Sequence, residues 1–284
     1  MNPPFLQKLR KETVAQLLKI RPETGLTKEQ INSAFQELAK NTLSRTPGPK
    51  PLRSKEILRF ELKTHLSEKN VAPETVFEKF LAREAKAMAK SSQTGKWANQ
   101  IPIWSGVCGS GERKVSIDIG YSPGAGKFSL YELKIGSDHP LYAVVELITY
   151  ALGYFVVRKL AQEEKWSREA ERIRSRDGGL LDAKVVSFSV LAPKEFYDRP
   201  VRGKIKLYRT EMENIRACAE EFLTGVTKRC FGPDCLQIDF SLREIPMKEV
   251  TCPRDLNGRN NWIERVRGSV TLRELVLQAK PILG

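Results

Sequence analysis

The hydrophobic pattern along the chain changes period near residue 97. Upstream of it, apolar positions recur at helical spacing. Thr27-x-x-Gln30 has the form of a capping box opening a helix whose stripe runs through Ile31, Phe35 and Leu38. Thr46-Pro-Gly-Pro-Lys-Pro51 then breaks regular structure and reads as a linker. A second helix is expected over 54–66, and a third after Pro73, a residue suited to a first helical turn. Downstream of Trp97, short strand-like runs at 101–107, 114–119 and 128–135 are separated by Gly, Ser and Pro. The loop Ser122-Pro-Gly-Ala-Gly126 makes the last two a hairpin. Residues 141–157 are apolar nearly all round and predict a buried helix, whose polar continuation runs to about Arg176 and stops at Asp177-Gly-Gly179. A strand apolar on both faces follows at 185–191, then a helix over 211–227 and a strand at 236–242. The last forty residues read as irregular until a short helix near Leu272.

Helix, three strands, helix, strand, helix, strand is the order of an α/β sandwich around one mixed central sheet flanked by helices. The chain divides into a helical N-terminal extension over 1–70, with its linker near 46–51, a core over 73–243 and a C-terminal extension over 244–284. Its 284 residues suffice for one sizeable core with a smaller appendage.

Charge narrows the partners. There are 48 Lys and Arg against 34 Asp and Glu, a net charge of +14, and a field of that sign favours polyanions, nucleic acid above all. No apolar run reaches the roughly 18 residues of a membrane span. The start Met1-Asn2-Pro3-Pro4 resembles neither a signal nor a transit peptide. Five Cys spread over this length do not form a secreted disulfide framework. A cytoplasmic setting without membrane attachment is expected.

Three residues form the candidate chemistry. Asp118 and Glu132 lie near the ends of the two hairpin arms. Lys134, two residues beyond Glu132, points to the same face of a strand. Hydrolysis of a phosphodiester needs a hard cation on oxygen ligands, a positioned water and neutralisation of developing charge. Two carboxylates and an ammonium in one pocket meet that need. With two His in the chain, a His-rich zinc site is excluded. Glu-Leu-Lys is not specific by itself: Glu61-Leu62-Lys63 repeats it inside an expected helix, where i and i+2 do not share a face. The plain alternative for Glu132 and Lys134 is the solvated face of an edge strand.

Two further features bear on the choice. On the helix after Pro73, the stripe of Val76, Phe77, Phe80, Leu81, Ala85 and Met88 centres, at roughly 100° per residue, near Glu84, with Glu78 toward its edge. Unpaired buried charge is costly, so Glu84 needs a metal or Lys partner, unless it is a salt-bridged rim residue. Glu146 and Tyr150 lie one turn apart on the apolar helix after the third strand and need polar partners there.

In order and spacing, these residues resemble the PD-(D/E)XK, or restriction-endonuclease-like, nuclease superfamily in its RecB-like variant. Asp118 and Glu132-Leu133-Lys134 match its Asp…Glu-x-Lys. Glu84 matches the acidic residue that many members carry on the first helix. Glu146-x-x-x-Tyr150 is similar to the Gln-x-x-x-Tyr of RecB-like members, with Glu for Gln, and Ile117 stands where the motif name has Pro. The resemblance covers about residues 73–243. It implies a restriction-endonuclease-like core and Mg²⁺ (or Mn²⁺) held by Asp118, Glu132 and the Leu133 carbonyl. Lys134 would position the attacking water, and Glu84 would add a ligand to the metal or its waters. The implied activity is a phosphodiesterase on nucleic acid, DNA rather than RNA. The alternative is a nuclease-like scaffold that binds nucleic acid or a protein without cutting it.

Other features carry less. Cys230-x4-Cys235, with Cys218 and Cys252, lacks the tight C-x2-C pairs of structural metal sites and reads as free thiols. His139-Pro140 reads as a helix start. Lys8, Arg10, Lys11, Lys19 and Arg21 either read phosphates or lie on the solvated faces of amphipathic helices.

Overall fold

The computed structural model describes residues 5–43, 56–63, 74–75, 77–79, 82, 95–103, 115–135, 139–200, 205–245 and 276–282. Its centre is a six-stranded mixed sheet in which sequence order and spatial order coincide. Strands β1 (Lys96–Pro102), β2 (Ser116–Gly124) and β3 (Lys127–Leu133) form an antiparallel meander. β4 (Val185–Ala192) and β5 (Gln237–Glu244) continue it in parallel, and β6 (Lys280–Pro281) closes the edge antiparallel to β5.

Helices connect and cover these strands. α1 (Phe5–Ile20) and α2 (Lys28–Leu43) precede the sheet. α3 (Pro140–Leu160) carries the chain from β3 to the parallel β4, followed by the short α4 (Ser167–Arg174). α5 (Lys194–Tyr197) and α6 (Arg209–Phe231) lie between β4 and β5. Parallel neighbours cannot be joined by a tight turn, which is why a helix intervenes at each crossover.

The sheet separates two cores. On one side Leu130, Val186, Phe188 and Phe240 pack with α1, α2, α3 and α6 in one continuous apolar cluster. On the other, Tyr131, Leu133 and Leu191 pack against Phe77, Trp97 and Val276. α3 is the one helix among the described residues long and apolar enough to cross a membrane. As 94% of its apolar window is buried inside the protein, it is a core helix.

Local signals placed several elements correctly. Thr27 and Gln30 form the reciprocal cap of α2, with Gln30 N–H donating to Thr27 Oγ1 at 3.3 Å and Thr27 N–H to Gln30 Oε1 at 3.0 Å. The hairpin turns at Ala125 and Gly126, whose φ of 54° and 71° between the paired Gly124 and Lys127 belong to a two-residue primed turn. His139 caps α3, its Nδ1 accepting from Tyr142 N–H at 3.2 Å.

The helix expected over 54–66 is contradicted over 56–63, which form a turn and then extended chain beside β1. Leu58 N–H donates to Pro102 O at 2.8 Å and Asn99 N–H to Glu61 O at 3.3 Å. The Asn99 amide clamps the Lys63 backbone on both sides. An edge strand with unpaired backbone groups outweighs weak helix propensity. The first strand also starts earlier than expected, at Lys96 rather than 101. The polar continuation of α3 is interrupted by turn residues 161–163 and a 3₁₀ turn at Glu164–Trp166, where Trp166 is buried. The helix expected near Leu272 lies outside the described residues.

Candidate active site

Asp118 sits where β2 departs from regularity. Ile117 packs in the first core and Ile119 in the second, although residues two apart on a regular strand share a face. Opposite this point the β1–β2 ladder runs Asn99–Ile119 and then Ile101–Ile117, and the intervening Gln100 has φ 49°. A non-glycine residue there is strained, and such irregularities re-aim side chains beside sites. β3 is regular. Its Glu132 lies one step beyond the Ile119–Tyr131 pair, across from Asp118, and Leu133 N–H donates to Asp118 Oδ2 at 2.8 Å.

Lys134 follows at the end of β3, anchored by its N–H to Leu191 O at 3.1 Å. Its Nζ lies 3.0 Å from Glu132 Oε1 and 2.8 Å from Glu146 Oε2. Glu146 comes from the second turn of α3, and Tyr150 lies one turn further on, its hydroxyl reaching Glu146 Oε1 at 3.5 Å. Arg10 of α1 closes the set, with Nη1 on Glu146 Oε1 at 2.5 Å and Nε on Thr149 Oγ1 at 2.8 Å. Glu132, Lys134, Glu146, Tyr150 and Arg10 are all buried. Glu132 Oε2 has no hydrogen-bond partner.

The charges divide unequally among the carboxylates. Burial pushes Asp118 up to about 6, against the pull of the Lys134 ammonium and the Leu133 N–H. Burial and the Asp118 charge hold Glu132 well above the usual carboxylate range. Glu146 is the exception: burial opposes its charge, but Lys134 and Arg10 outweigh that and lower it. Lys134 loses solvation too, yet Glu132, Glu146 and Asp118 together hold its ammonium well above its ordinary value. Its charged form is therefore favoured, which suits orienting a water or neutralising an anion.

The helical residues 74–75, 77–79 and 82 bring two more carboxylates. Glu74 accepts from Ile135 N–H at 3.1 Å. Glu78 is buried, accepts from Gln100 Nε2 at 3.4 Å, and has an Oε1 with no partner. Burial and then the Asp118 charge push Glu78 up to about 8. Glu84 lies outside the described residues; among the described helical residues, Glu74 and Glu78 are the carboxylates whose charge interacts with that of Asp118. Glu78 falls toward the edge of the apolar stripe, and Gln100 and the charge of Asp118 meet it there.

The second Glu-Leu-Lys is no second site. Glu61 is exposed and Lys63 half-buried on extended chain, so solvent exposure rather than helical geometry separates the two copies. Arg10 was legible only as one basic residue among several, since no spacing rule links α1 to a residue 136 positions away. Among the described residues no group of three or more His, Cys, Asp or Glu could hold a metal ion. A hard cation here would rely on two carboxylates, a carbonyl and water. Among the described residues, Cys218 is buried, Cys230 half-buried and Cys235 exposed, and all three are free thiols. A separate cleft of about 520 Å³, lined by Tyr197, Lys206, Tyr208, Met212 and Glu244, includes none of the site residues. No protein-family model, curated protein or solved structure matches the chain.

Proposed function

We propose that the chain is a metal-dependent nuclease of the PD-(D/E)XK, RecB-like type, hydrolysing phosphodiester bonds in nucleic acid, DNA in preference to RNA. One observation carries the reading. Glu132, buried and opposite Asp118, presents an oxygen with no protein partner beside a lysine that two carboxylates hold charged. A native fold rarely leaves such an oxygen unsatisfied unless something outside the chain completes it.

The donor set suits Mg²⁺ or Mn²⁺, which take oxygen ligands and retain several waters. Asp118, Glu132 and the carbonyl of Leu133 would hold the ion, and Glu78 stands close enough to Asp118 to act on its waters. Glu84 belongs to the same proposal through the family resemblance alone. The ion would lower the pKa of a bound water and draw charge from the scissile phosphate. The residues do the rest. Lys134 orients the attacking water and offsets charge developing on phosphorus. Glu146 and Tyr150 keep Lys134 in place from α3. The meander β1–β2–β3, the crossover α3 and the parallel β4 are consistent with the restriction-endonuclease-like core. The net charge of +14 suits a polyanionic substrate in the cytoplasm.

The test is cleavage of linear, circular and single-stranded DNA, and of RNA, by the purified chain in Mn²⁺ and Mg²⁺. We expect cleavage that EDTA abolishes. Glu132→Gln and Lys134→Ala should each lower kcat by about a hundredfold or more while binding persists. Cleavage by Lys134→Ala at the wild-type rate would sink the reading. The second reading, a scaffold that binds without cutting, predicts salt-dependent binding with no metal requirement. The full Asp118, Glu132 and Lys134 set weighs against it.

A further inference from the structure

Glu146 has a partner that neither the sheet nor its own helix supplies. Arg10 of α1 is 4% exposed, and one turn of α3 engages its guanidinium through Nη1 and Nε, while Nη2 has no hydrogen-bond partner. Nη1 meets Glu146 Oε1 at 2.5 Å, Nε donates to Thr149 Oγ1 at 2.8 Å, and the guanidinium carbon lies 4.8 Å from the centre of the Tyr150 ring. Thr149 in turn donates its hydroxyl to Glu146 O at 2.6 Å. The remaining Glu146 oxygen, Oε2, is 2.8 Å from Lys134 Nζ, which lies 3.0 Å from Glu132 Oε1. Arg10, Glu146, Lys134 and Glu132 thus form a chain of alternating charge from the N-terminal helix to the candidate metal ligand.

Neutralising a buried carboxylate takes one cation, and Lys134 already lies on Glu146. Lys134 is shared with Glu132, so Arg10 adds charge at Glu146, and it adds geometry as well. A lysine ammonium on four rotatable carbons is placed only as well as its acceptors are fixed. One of those acceptors, Glu146, is itself a flexible side chain. A planar guanidinium that engages Glu146 and Thr149 together and stacks on Tyr150 removes that freedom, which a second lysine would not do as well.

We propose that Arg10 is a positioning residue of the site: by fixing Glu146 it sets where the Lys134 ammonium sits relative to Glu132, and so makes α1 part of the catalytic machinery. The inference deepens the nuclease reading and rests on it for its catalytic consequence. The positioning link from Arg10 to Lys134 is separately measurable.

The experiment uses the full chain in four forms besides wild type: Arg10→Met, Arg10→Lys, Glu146→Gln and the double Arg10→Met/Glu146→Gln. With Mn²⁺ and DNA, Arg10→Met should lower kcat by about ten- to a hundredfold with KM within about twofold, since only placement at the reacting centre changes. Arg10→Lys should recover part of the loss. In the Glu146→Gln background, Arg10→Met should lower kcat no further. An equal loss in both backgrounds, or an unchanged kcat in Arg10→Met, overturns the proposal. Should Arg10→Met not fold, Arg10→Lys against wild type and the double variant against Glu146→Gln decide: an unchanged kcat in the first, or a further loss in the second, overturns the proposal.

A readout without turnover is the lysine ¹⁵Nζ spectrum of the metal-free protein. The Lys134 signal, protected by its ion pairs in wild type, should broaden away in Arg10→Met and persist in Arg10→Lys. An unaltered signal in Arg10→Met refutes the positioning link. If wild type cuts no nucleic acid while the Nζ signals behave as expected, the nuclease reading fails and the link from α1 to Lys134 stands.

Discussion

Glu132 is held well above the usual carboxylate range, and Glu78 and Asp118 join it in setting the pH behaviour of the metal-free protein. Both carboxyls are raised on folding, to about 8 and about 6, so the folded state binds more protons than the unfolded chain across that range. Stability should accordingly fall as pH rises from about 4.5 to 8 in EDTA. Urea titrations at intervals of pH would show this, and Glu78→Gln should make the slope between pH 6 and 8 shallower. A slope unchanged in that variant would mean Glu78 does not carry its proton at neutral pH. The same protons should be displaced by a divalent cation. Calorimetry of Mn²⁺ binding at pH 7 in buffers of different ionisation enthalpy should show proton release, reduced in Glu78→Gln. Glu146 behaves oppositely to these two, because two cations face it while Glu78 faces another carboxylate. Residue type did not distinguish them.

At the scale of elements, the kinked β1–β2 pair and the segment at 56–63 depend on one another. Phe60 lies over Gly120, where an added Cβ would come 2.6 Å from the Phe60 ring and 2.5 Å from Ile101 Cδ1. Phe60 also packs edge-on against Phe128, with ring centres 5.1 Å apart. Gly120→Ala should therefore destabilise the protein by about 1–3 kcal/mol through overpacking, read as a lowered denaturation midpoint. A change within about 0.5 kcal/mol would show that Phe60 moves aside freely. Because Gly120 is two residues from Asp118, cleavage should suffer beyond the stability loss. The helix expected over 54–66 failed for a related reason. Its residues suit a helix locally, but the free edge of β1 gave their backbone a competing partner that local pattern does not show. α3 was easy by comparison, since a run apolar on all sides has only the interior to go to.

For the whole molecule, charge and core make different predictions. Lys8, Lys11 and Lys19 are exposed on α1, while Arg10 and the apolar side of the same helix are buried. α1 thus offers solvent-facing cations on one side and site support on the other. DNA binding in EDTA should weaken linearly in log–log form as salt rises, with a slope of about −0.9 per phosphate contacted. Filter-binding or anisotropy titrations at several salt concentrations measure it. A slope near zero would remove nucleic acid as the partner of the basic surface.

By itself the sequence determined the strand meander, crossover helix, strand, helix and strand of the core, the capping box of α2, the hairpin turn and the pairing of Glu132 with Lys134 on one strand face. These are local: periods of 2 and 3.6, turn chemistry and caps act over a few residues. The tertiary structure decided what depends on contacts between distant segments. It turned β2 over at Asp118, brought Glu78 beside that carboxylate, drew 56–63 to the edge of β1 and carried Arg10 across 136 positions to Glu146. Whether a buried charge is paired, strained or left open is a property of the assembled interior, where low polarity makes each neighbour count, and no stretch of chain contains it alone.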